Sequence, residues 1–387
     1  MTPAARVQAA IGILDDILSG APVEKALTGW ARRSRFAGSK DRAAIRDHVF
    51  DALRCKRSFA ARGGAGTGRG LMIGALRSSG IDPALIFTGE GYAPTQLTER
   101  DQGRALQTDA ERLDIPEWLW PAFQASLAEA AEPAAVASQS RAPVHLRVNL
   151  AKTDVPAAIR ALAAEGIQAQ PHPACDTALE VVEGARKLSQ GAAFAAGLVE
   201  LQDAASQAVI AALDLQPGMR VLDYCAGGGG KTLALAARGS GVQVFAHDAN
   251  PGRMRDLPAR AQRAGADIAI LTQDQVAARA PFDIVLVDVP CSGSGSWRRA
   301  PAGKWALTQD RLHELTEIQA SILTNVAPLV AGGGTLAYAT CSMLRVENDA
   351  VVDGFLQAHP DWKSGFRKTW LVSHGTDGFY TAHLTRN

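Results

Sequence analysis

Near the start of the chain, Val7, Ala10, Ile11, Leu14, Ile17 and Leu18 recur at helical spacing and predict one amphipathic helix. Asp41 can cap a further helix through Ile45, Val49, Leu53 and Arg54. Residues 1–135 are dominated by Ala, Leu and Arg without a long alternating run, so a mainly helical domain is expected there. The run GGAGTGRG at 63–70 reads as a flexible break. It is not a dinucleotide-type glycine pattern, because an Arg-rich helix precedes it where that pattern requires a strand. The stretch AEPAAVASQSRAP at 131–143 reads as a linker. Residues 143–202 change character and predict a small α+β module. It starts with a strand over 145–150; Asp154 then caps a helix with Pro156 in its first turn and Gly166 at its end. Extended chain follows near 179–182.

From Asp203 onward, short apolar runs alternate with amphipathic ones over 203–387. Strands are expected over 220–224, 243–248, 268–274, 282–289, 334–340 and near 379–384, with helices between them. That alternation means an α/β class with a mostly parallel, doubly wound sheet. Ligands in such sheets sit at the carboxyl ends of the strands.

Composition narrows the class. A chain of 387 residues is long for one domain, and 47% hydrophobic with 20% charged residues is globular. No apolar run approaches a membrane span, and the first helix has acids at 15 and 16 and no basic start, unlike a signal peptide. The five cysteines are scattered without a Cys-x-x-Cys pair, which speaks against disulfides or a metal site and for a reducing cytoplasm. The net charge of +1 hides an asymmetry: residues 1–70 hold 13 Lys+Arg against 6 Asp+Glu. A basic end on a mildly acidic body suggests a polyanionic partner, with nucleic acid favoured over the alternative of a solvated helical face.

Three segments carry the chemistry: Asp-Tyr-Cys-Ala-Gly-Gly-Gly-Gly-Lys-Thr (223–232), Asp-Val-Pro-Cys (288–291) and Ala-Thr-Cys-Ser (339–342), each following a predicted strand. The first is a glycine loop whose amides can approach a nucleotide-like ligand. It is not a triphosphate loop, since Cys225 stands where that motif needs glycine. Asp248, ending the second strand, suits ribose hydroxyls, and Asp274, read as ending the third, suits an adenine amino group. S-adenosylmethionine fits these acids, and the thiols favour methyl transfer over hydride chemistry. A thiolate adding to carbon 6 of a pyrimidine makes carbon 5 nucleophilic toward a methyl sulfonium. Cys291 and Cys341 end successive strands, so both thiols can reach one base, and Asp288 can contact its polar edge. The residues do not rank the two cysteines. Arg298, Arg299, Lys304 and Trp305 follow Cys291 and suggest RNA contact by phosphate pairing and base stacking.

On these residues the chain resembles the Nol/Nop/Sun RNA cytosine-C5 methyltransferases, and within them the bacterial Sun-type 16S rRNA enzymes. Asp41-Arg42-Ala43 and Leu53-Arg54 look like the NusB-like RNA-binding domain, and Arg147-Val148-Asn149 looks like the start of the small RNA-binding module. Gln202-Asp203 with Ser206-Gln207 is similar to the family's entry to the catalytic domain, and Asp377-Gly378-Phe379 to its closing strand. The pairing of Pro-Cys with Thr-Cys at two strand ends is the most specific match.

The resemblance implies a Rossmann-like class I methyltransferase domain at 203–387, a small α+β module at 143–202 and a NusB-like domain at 1–135. It implies cofactor contacts from Cys225, Ala226, Gly227, Gly228, Gly229, Gly230 and Lys231, and from Asp248, Asp274 and Asp288. It further implies Cys341 as nucleophile and Cys291 as the group assisting product release. The expected partner is RNA, 16S rRNA first, with no metal, no membrane and a monomeric state. Two alternatives stay open: tRNA as substrate, and a non-catalytic RNA-binding ribosome assembly factor, for which the intact thiols would be superfluous. The family usually has Ala-Pro where this chain has Gly227-Gly228, which loosens the loop in principle.

Overall fold

The computed structural model describes residues 1–239 and 241–386. The chain divides into two compact units: 1–124, 128–141 and 297–307 in the first, and 125–127, 142–296 and 308 onward in the second. Asn387, the end of the predicted catalytic range, lies outside the described residues.

The first unit begins with helices α1 (Pro3–Leu18), α2 (Val23–Arg33), α3 (Ser39–Arg54), α4 (Lys56–Gly63) and α5 (Gly68–Ser78). Thr2 caps α1, accepting a hydrogen bond from the Ala5 amide. The predicted face of α1 packs inward, with Val7, Ala10, Ile11 and Leu14 buried against Ile45, Val49, Leu53, Leu71 and Ile73. Two expectations are corrected here. Residues 63–70 are not a flexible break but a helix-packing seam. A Cβ on Gly63 would lie 1.7 Å from the Gly70 carbonyl oxygen, and one on Gly74 1.9 Å from that of Phe59. Only glycine allows that backbone approach between α4 and α5. The expected linker at 131–143 contains a helix, Ala131–Ser138, which buries Ala131, Ala134, Ala135 and Ser138 along one stripe.

Segment 297–307 also belongs to this unit. Its Lys304 Nζ donates to the Arg54 carbonyl at 2.9 Å and Trp305 Nε1 to that of Leu53 at 2.6 Å. Carbonyls at the end of a helix lack intrahelical donors, so this segment caps α3. Arg54 Nε returns a bond to the Arg298 carbonyl at 2.7 Å.

The second unit holds two sheets. In the small one, β1 (Val144–Val148), β2 (Gln168–Pro171), β3 (Ala178–Glu183) and β4 (Val199–Leu201) lie antiparallel in the order β2-β3-β1-β4, with the Asp154-capped helix Val155–Ala164 as predicted. The large sheet comprises β5 (Arg220–Asp223), β6 (Gln243–Ala246), β7 (Ile268–Ile270), β8 (Phe282–Asp288), β9 (Val330–Thr340), β10 (Trp362–Trp370) and β11 (Phe379–Arg386). Its order is β10-β11-β9-β8-β5-β6-β7, parallel from β9 to β7 and antiparallel at β10 and β11. This is the expected Rossmann-like architecture. The chain runs outward from β5 to β7 and then returns to β8 on the other side of β5. That reversal opens a crevice beyond the carboxyl ends of β5 and β8.

Two elements differ from the reading. The third strand ends at Ile270; Thr272 then caps the helix Gln273–Arg279, so Asp274 lies in a first helical turn and not at a strand end. Strand β10 went unrecognised because only Trp362 and Trp370, at its two ends, are buried, as an edge strand permits.

Candidate active site

Strand β5 delivers Asp223 to the crevice, and the next residues turn into the helix Gly230–Arg238. The turn needs left-handed backbone at Gly227 (φ 52°) and Gly229 (φ 80°). At Gly229 a Cβ would also meet the Leu257 side chain at 2.3 Å. The Ala226 amide donates to the His247 carbonyl and the Gly227 amide to Asp248 Oδ2, both at 2.9 Å, so the loop is tied to the end of β6. Two arginines brace it from outside: Arg260 donates to the Gly228 carbonyl and Arg147 to that of Gly230. Asp248 also pairs with Arg253 at 3.1 Å, whose own side chain is 56% exposed. Burial drives the Cys225 thiol far above its usual range, so that side chain stays protonated.

Asp223 is wholly buried, accepts from the Thr232 hydroxyl at 2.7 Å and leaves Oδ1 without a partner. Burial pushes its pKa up to about 7; the Thr232 hydroxyl offsets this only in part. It was quoted in the loop motif without a role, and its burial had no signal in the sequence.

Strands β8 and β9 are parallel neighbours with Asp288 opposite Ala339. Both cysteine turns therefore leave the sheet at one level, and Cys291 Sγ lies 3.4 Å from Cys341 Sγ. The two thiols share one hydrogen bond in which either sulfur can be the donor. That bond lowers the Cys341 pKa against the opposing effect of burial, with help from Lys231, and it holds Cys291 well above normal. The three remaining cysteines, at 55, 175 and 225, are all shifted upward by burial. Among the described cysteines only Cys341 is shifted downward, through its contact with Cys291. Lys231 Nζ pairs with Asp288 Oδ2 at 2.6 Å and lies 4.6 Å from the centre of the Phe379 ring. Burial opposes the lysine's charge, but the adjacent Asp288 carboxylate outweighs it and raises its pKa.

Beneath the thiols lies Glu347, which the sequence reading missed. It is 0% exposed. Its carboxylate accepts from the Ser292 amide at 2.7 Å, the Ser292 and Ser342 hydroxyls at 2.5 Å each, and Gln319 Nε2 at 3.1 Å. Ser292 and Ser342 directly follow the two cysteines, so one buried acid holds both turns. The Gly295 amide adds a bond to the Cys341 carbonyl at 2.9 Å. A lone Glu seven residues after a strand has no periodic signature, which is why it was invisible.

Of the predicted residues, the structure brings together the loop 225–231, Asp248, Asp288, Cys291 and Cys341 around the carboxyl ends of β5, β6, β8 and β9. Asp274 is exposed in its helix, although its neighbour Gln273 accepts from Tyr224 Oη at 3.0 Å. The RNA-contact expectation for 298–305 is corrected: Arg298 is buried, Lys304 is 1% exposed and Trp305 donates into α3, leaving only Arg299 exposed. Burial depresses the Lys304 pKa to about 8. Among the described residues no group of three His, Cys, Asp or Glu is placed to hold a metal, and no helix is long and apolar enough to cross a membrane.

Residues 210–385 match the family model described as 16S rRNA methyltransferase RsmB/F, and residues 115–186 match the RsmF/B-like ferredoxin-like domain. The chain is 36% identical to a probable ribosomal RNA small subunit methyltransferase B of Bacillus subtilis, over 74% of this chain and 69% of that one. It is 34% identical to a ribosomal RNA small subunit methyltransferase B of Vibrio cholerae, over 74% and 70%. In fold it is similar to the solved structure of PH0851, with a TM-score of 0.76 and 23% identity over 100% and 99% of the two chains.

Proposed function

The chain belongs to the 16S rRNA methyltransferase RsmB/F family, and from that premise we propose that it forms 5-methylcytosine in 16S rRNA through a covalent adduct at carbon 6. The cofactor is S-adenosylmethionine, which supplies an electrophilic methyl group on a sulfonium. The residues around the crevice suit it: Asp223 Oδ1 is a buried acceptor with no partner, fitting an ammonium, and Asp248 fits a ribose diol once the exposed Arg253 side chain yields. The loop residues 225–230 present backbone to the ligand.

In the proposed sequence, the Cys341 thiolate bonds to carbon 6 of the cytosine, and the carbon 5–carbon 6 π electrons shift into the ring. Asp288, whose Oδ2 pairs with Lys231 Nζ at 2.6 Å, accepts from the exocyclic amino edge. Carbon 5 then forms its bond to the methyl group as the methyl–sulfonium bond breaks and its electron pair stays on sulfur. A base from solvent, supported by Cys291, takes the carbon-5 proton; the carbon–hydrogen pair re-forms the double bond and expels Cys341 as thiolate. The reaction takes place in the cytoplasm, where thiols stay reduced.

The observation that supports this reading most is the pair of thiols 3.4 Å apart at the ends of neighbouring parallel strands. Mass spectrometry of nucleosides from 16S rRNA, with and without the gene, tests it. Loss of one 5-methylcytidine on deletion is expected; unchanged 5-methylcytidine in 16S rRNA with loss in tRNA would reassign the substrate.

A further inference from the structure

The connection between α2 and α3 and the helix ends flanking it carry four exposed cations and one exposed aromatic ring within residues 32–40. Arg32 and Arg33 close α2, Arg35 and Phe36 lie in the connection, and Lys40 opens α3. All five side chains are exposed, Phe36 at 77%. None of the four cations is in an ion pair among the described residues. The acids nearby are already engaged: Asp41 by Arg6 at 2.8 Å and the chain's amino group, and Glu24 by Arg46 at 2.8 Å.

The connection is held in shape. The Ser34 amide donates to the Trp30 carbonyl at 2.9 Å, the Ala37 amide to that of Ser34 at 3.0 Å, and Arg42 Nε to that of Ala37 at 2.9 Å. Ser34 and Ala37 are buried, so the turn anchors at both and directs Arg35 and Phe36 outward. The helix macrodipole accounts for Arg32 and Arg33 in the last turn of α2. It does not account for Arg35 or Lys40, nor for an aromatic ring presented to water on a pinned turn. Scattered exposed apolar residues are ordinary; one flanked in the chain by four exposed cations without an ion pair among the described residues is not.

A partner for this corner must offer several anionic groups at short spacing and a flat apolar face between them. Single-stranded RNA offers both, as phosphates and unstacked bases. An acidic protein segment offers the charge without the ring, and an anionic membrane offers charge without a defined stacking partner. We propose that this corner is an RNA-contact site of the helical unit, with Arg32, Arg33, Arg35 and Lys40 on phosphates and Phe36 stacked on a base. The proposal rests on the rRNA reading and replaces segment 297–307 as the place where basic and aromatic side chains meet RNA.

The test uses the full chain with a 16S rRNA transcript and a short oligouridine, over about 50 to 200 mM salt. Replacing Arg32, Arg33 and Arg35 together by Gln should lower the slope of log affinity against log salt by about 2, at roughly 0.7 per single-strand phosphate. Phe36→Ala should weaken binding about tenfold at unchanged slope, and Phe36→Trp should restore it. Melting temperature and S-adenosylmethionine affinity should stay at parental values in all three. Unchanged RNA affinity and slope in a parent that does methylate rRNA overturns the site. So does displacement of RNA by polyglutamate as effective as by oligouridine, or Phe36-dependent binding to anionic vesicles with none to RNA. A parent that binds RNA in this Phe36-dependent way but never methylates it would support the corner and sink the rRNA reading.

Discussion

Glu347→Ala should damage the enzyme without touching either substrate. The carboxylate satisfies four donors, and removing it affects them unequally. Gln319 Nε2 keeps the Pro290 carbonyl at 2.9 Å, and the Ser342 hydroxyl keeps Ser294 Oγ at 3.0 Å. Ser292 loses Glu347 as acceptor of both its amide and its hydroxyl. Loss of an acceptor by a buried donor costs about 1–3 kcal/mol, and loss of the charged acceptor brings the total to roughly 3 kcal/mol. Glu347→Gln keeps the shape and one acceptor oxygen, and serine hydroxyls can turn to accept from its amide, so about 1 kcal/mol is expected. Urea unfolding should therefore rank parent, Gln and Ala in that order. Because both cysteine turns hang from this one side chain, a shift of about 1 Å should cost the Ala variant about a hundredfold in kcat. S-adenosylmethionine affinity, set at the glycine loop, should hold. An Ala variant as stable and as fast as the parent would show that Glu347 does not position the thiols.

Asp248→Ala should weaken S-adenosylmethionine binding at least tenfold by calorimetry at a single site, the loss of a charged hydrogen-bond acceptor; tight ATP binding in its place would reverse the cofactor assignment. Asp223 holds its proton up to about pH 7 when folded and to about 3.9 when unfolded, so its contribution is full below pH 4 and is lost as pH rises toward 7. The gap in unfolding free energy between Asp223→Asn and the parent should accordingly widen by a few kcal/mol, in the variant's favour, between about pH 4 and 7; a constant gap would mean the carboxyl titrates normally. Lys304→Met should leave stability unchanged or raised, and Lys304→Ala should lower it by about 2 kcal/mol through the cavity left. Neither should alter the salt slope of RNA binding, and a slope reduced by either would return segment 297–307 to the RNA surface.

The sheet was legible because β5, β6, β8 and β9 are apolar runs, each with an Asp or Cys at its end or within two residues after it. The meeting of Cys291 and Cys341 followed from strand adjacency alone. Asp274 was misplaced although the signal was there: Thr272 and Gln275 form a capping box that starts a helix, and β7 is only three residues long. Gly63, Gly70 and Gly74 carried a packing message that composition disguised as flexibility, since their role appears only when α4 and α5 are set side by side. Lys304 and Trp305 were misread for a deeper reason. Basic and aromatic residues beside a catalytic motif look the same whether they face RNA or cap a helix distant in sequence, and only tertiary structure separates the two. Glu347 and the burial of Asp223 were likewise invisible, because a buried acid is defined by donors from other strands and turns.

The central claim is that Cys341 attacks the base and Cys291 acts after it. The most direct measurement is a denaturing gel of each cysteine variant incubated with 16S rRNA and S-adenosylmethionine. Cys291→Ala should still add to carbon 6 and accept the methyl group but fail to eliminate, and so should run as a protein–RNA adduct. Cys341→Ala and the double variant should show no adduct and no methylation. An adduct with Cys341→Ala and none with Cys291→Ala would invert the two roles, and full methylation by both single variants would contradict covalent catalysis by this pair.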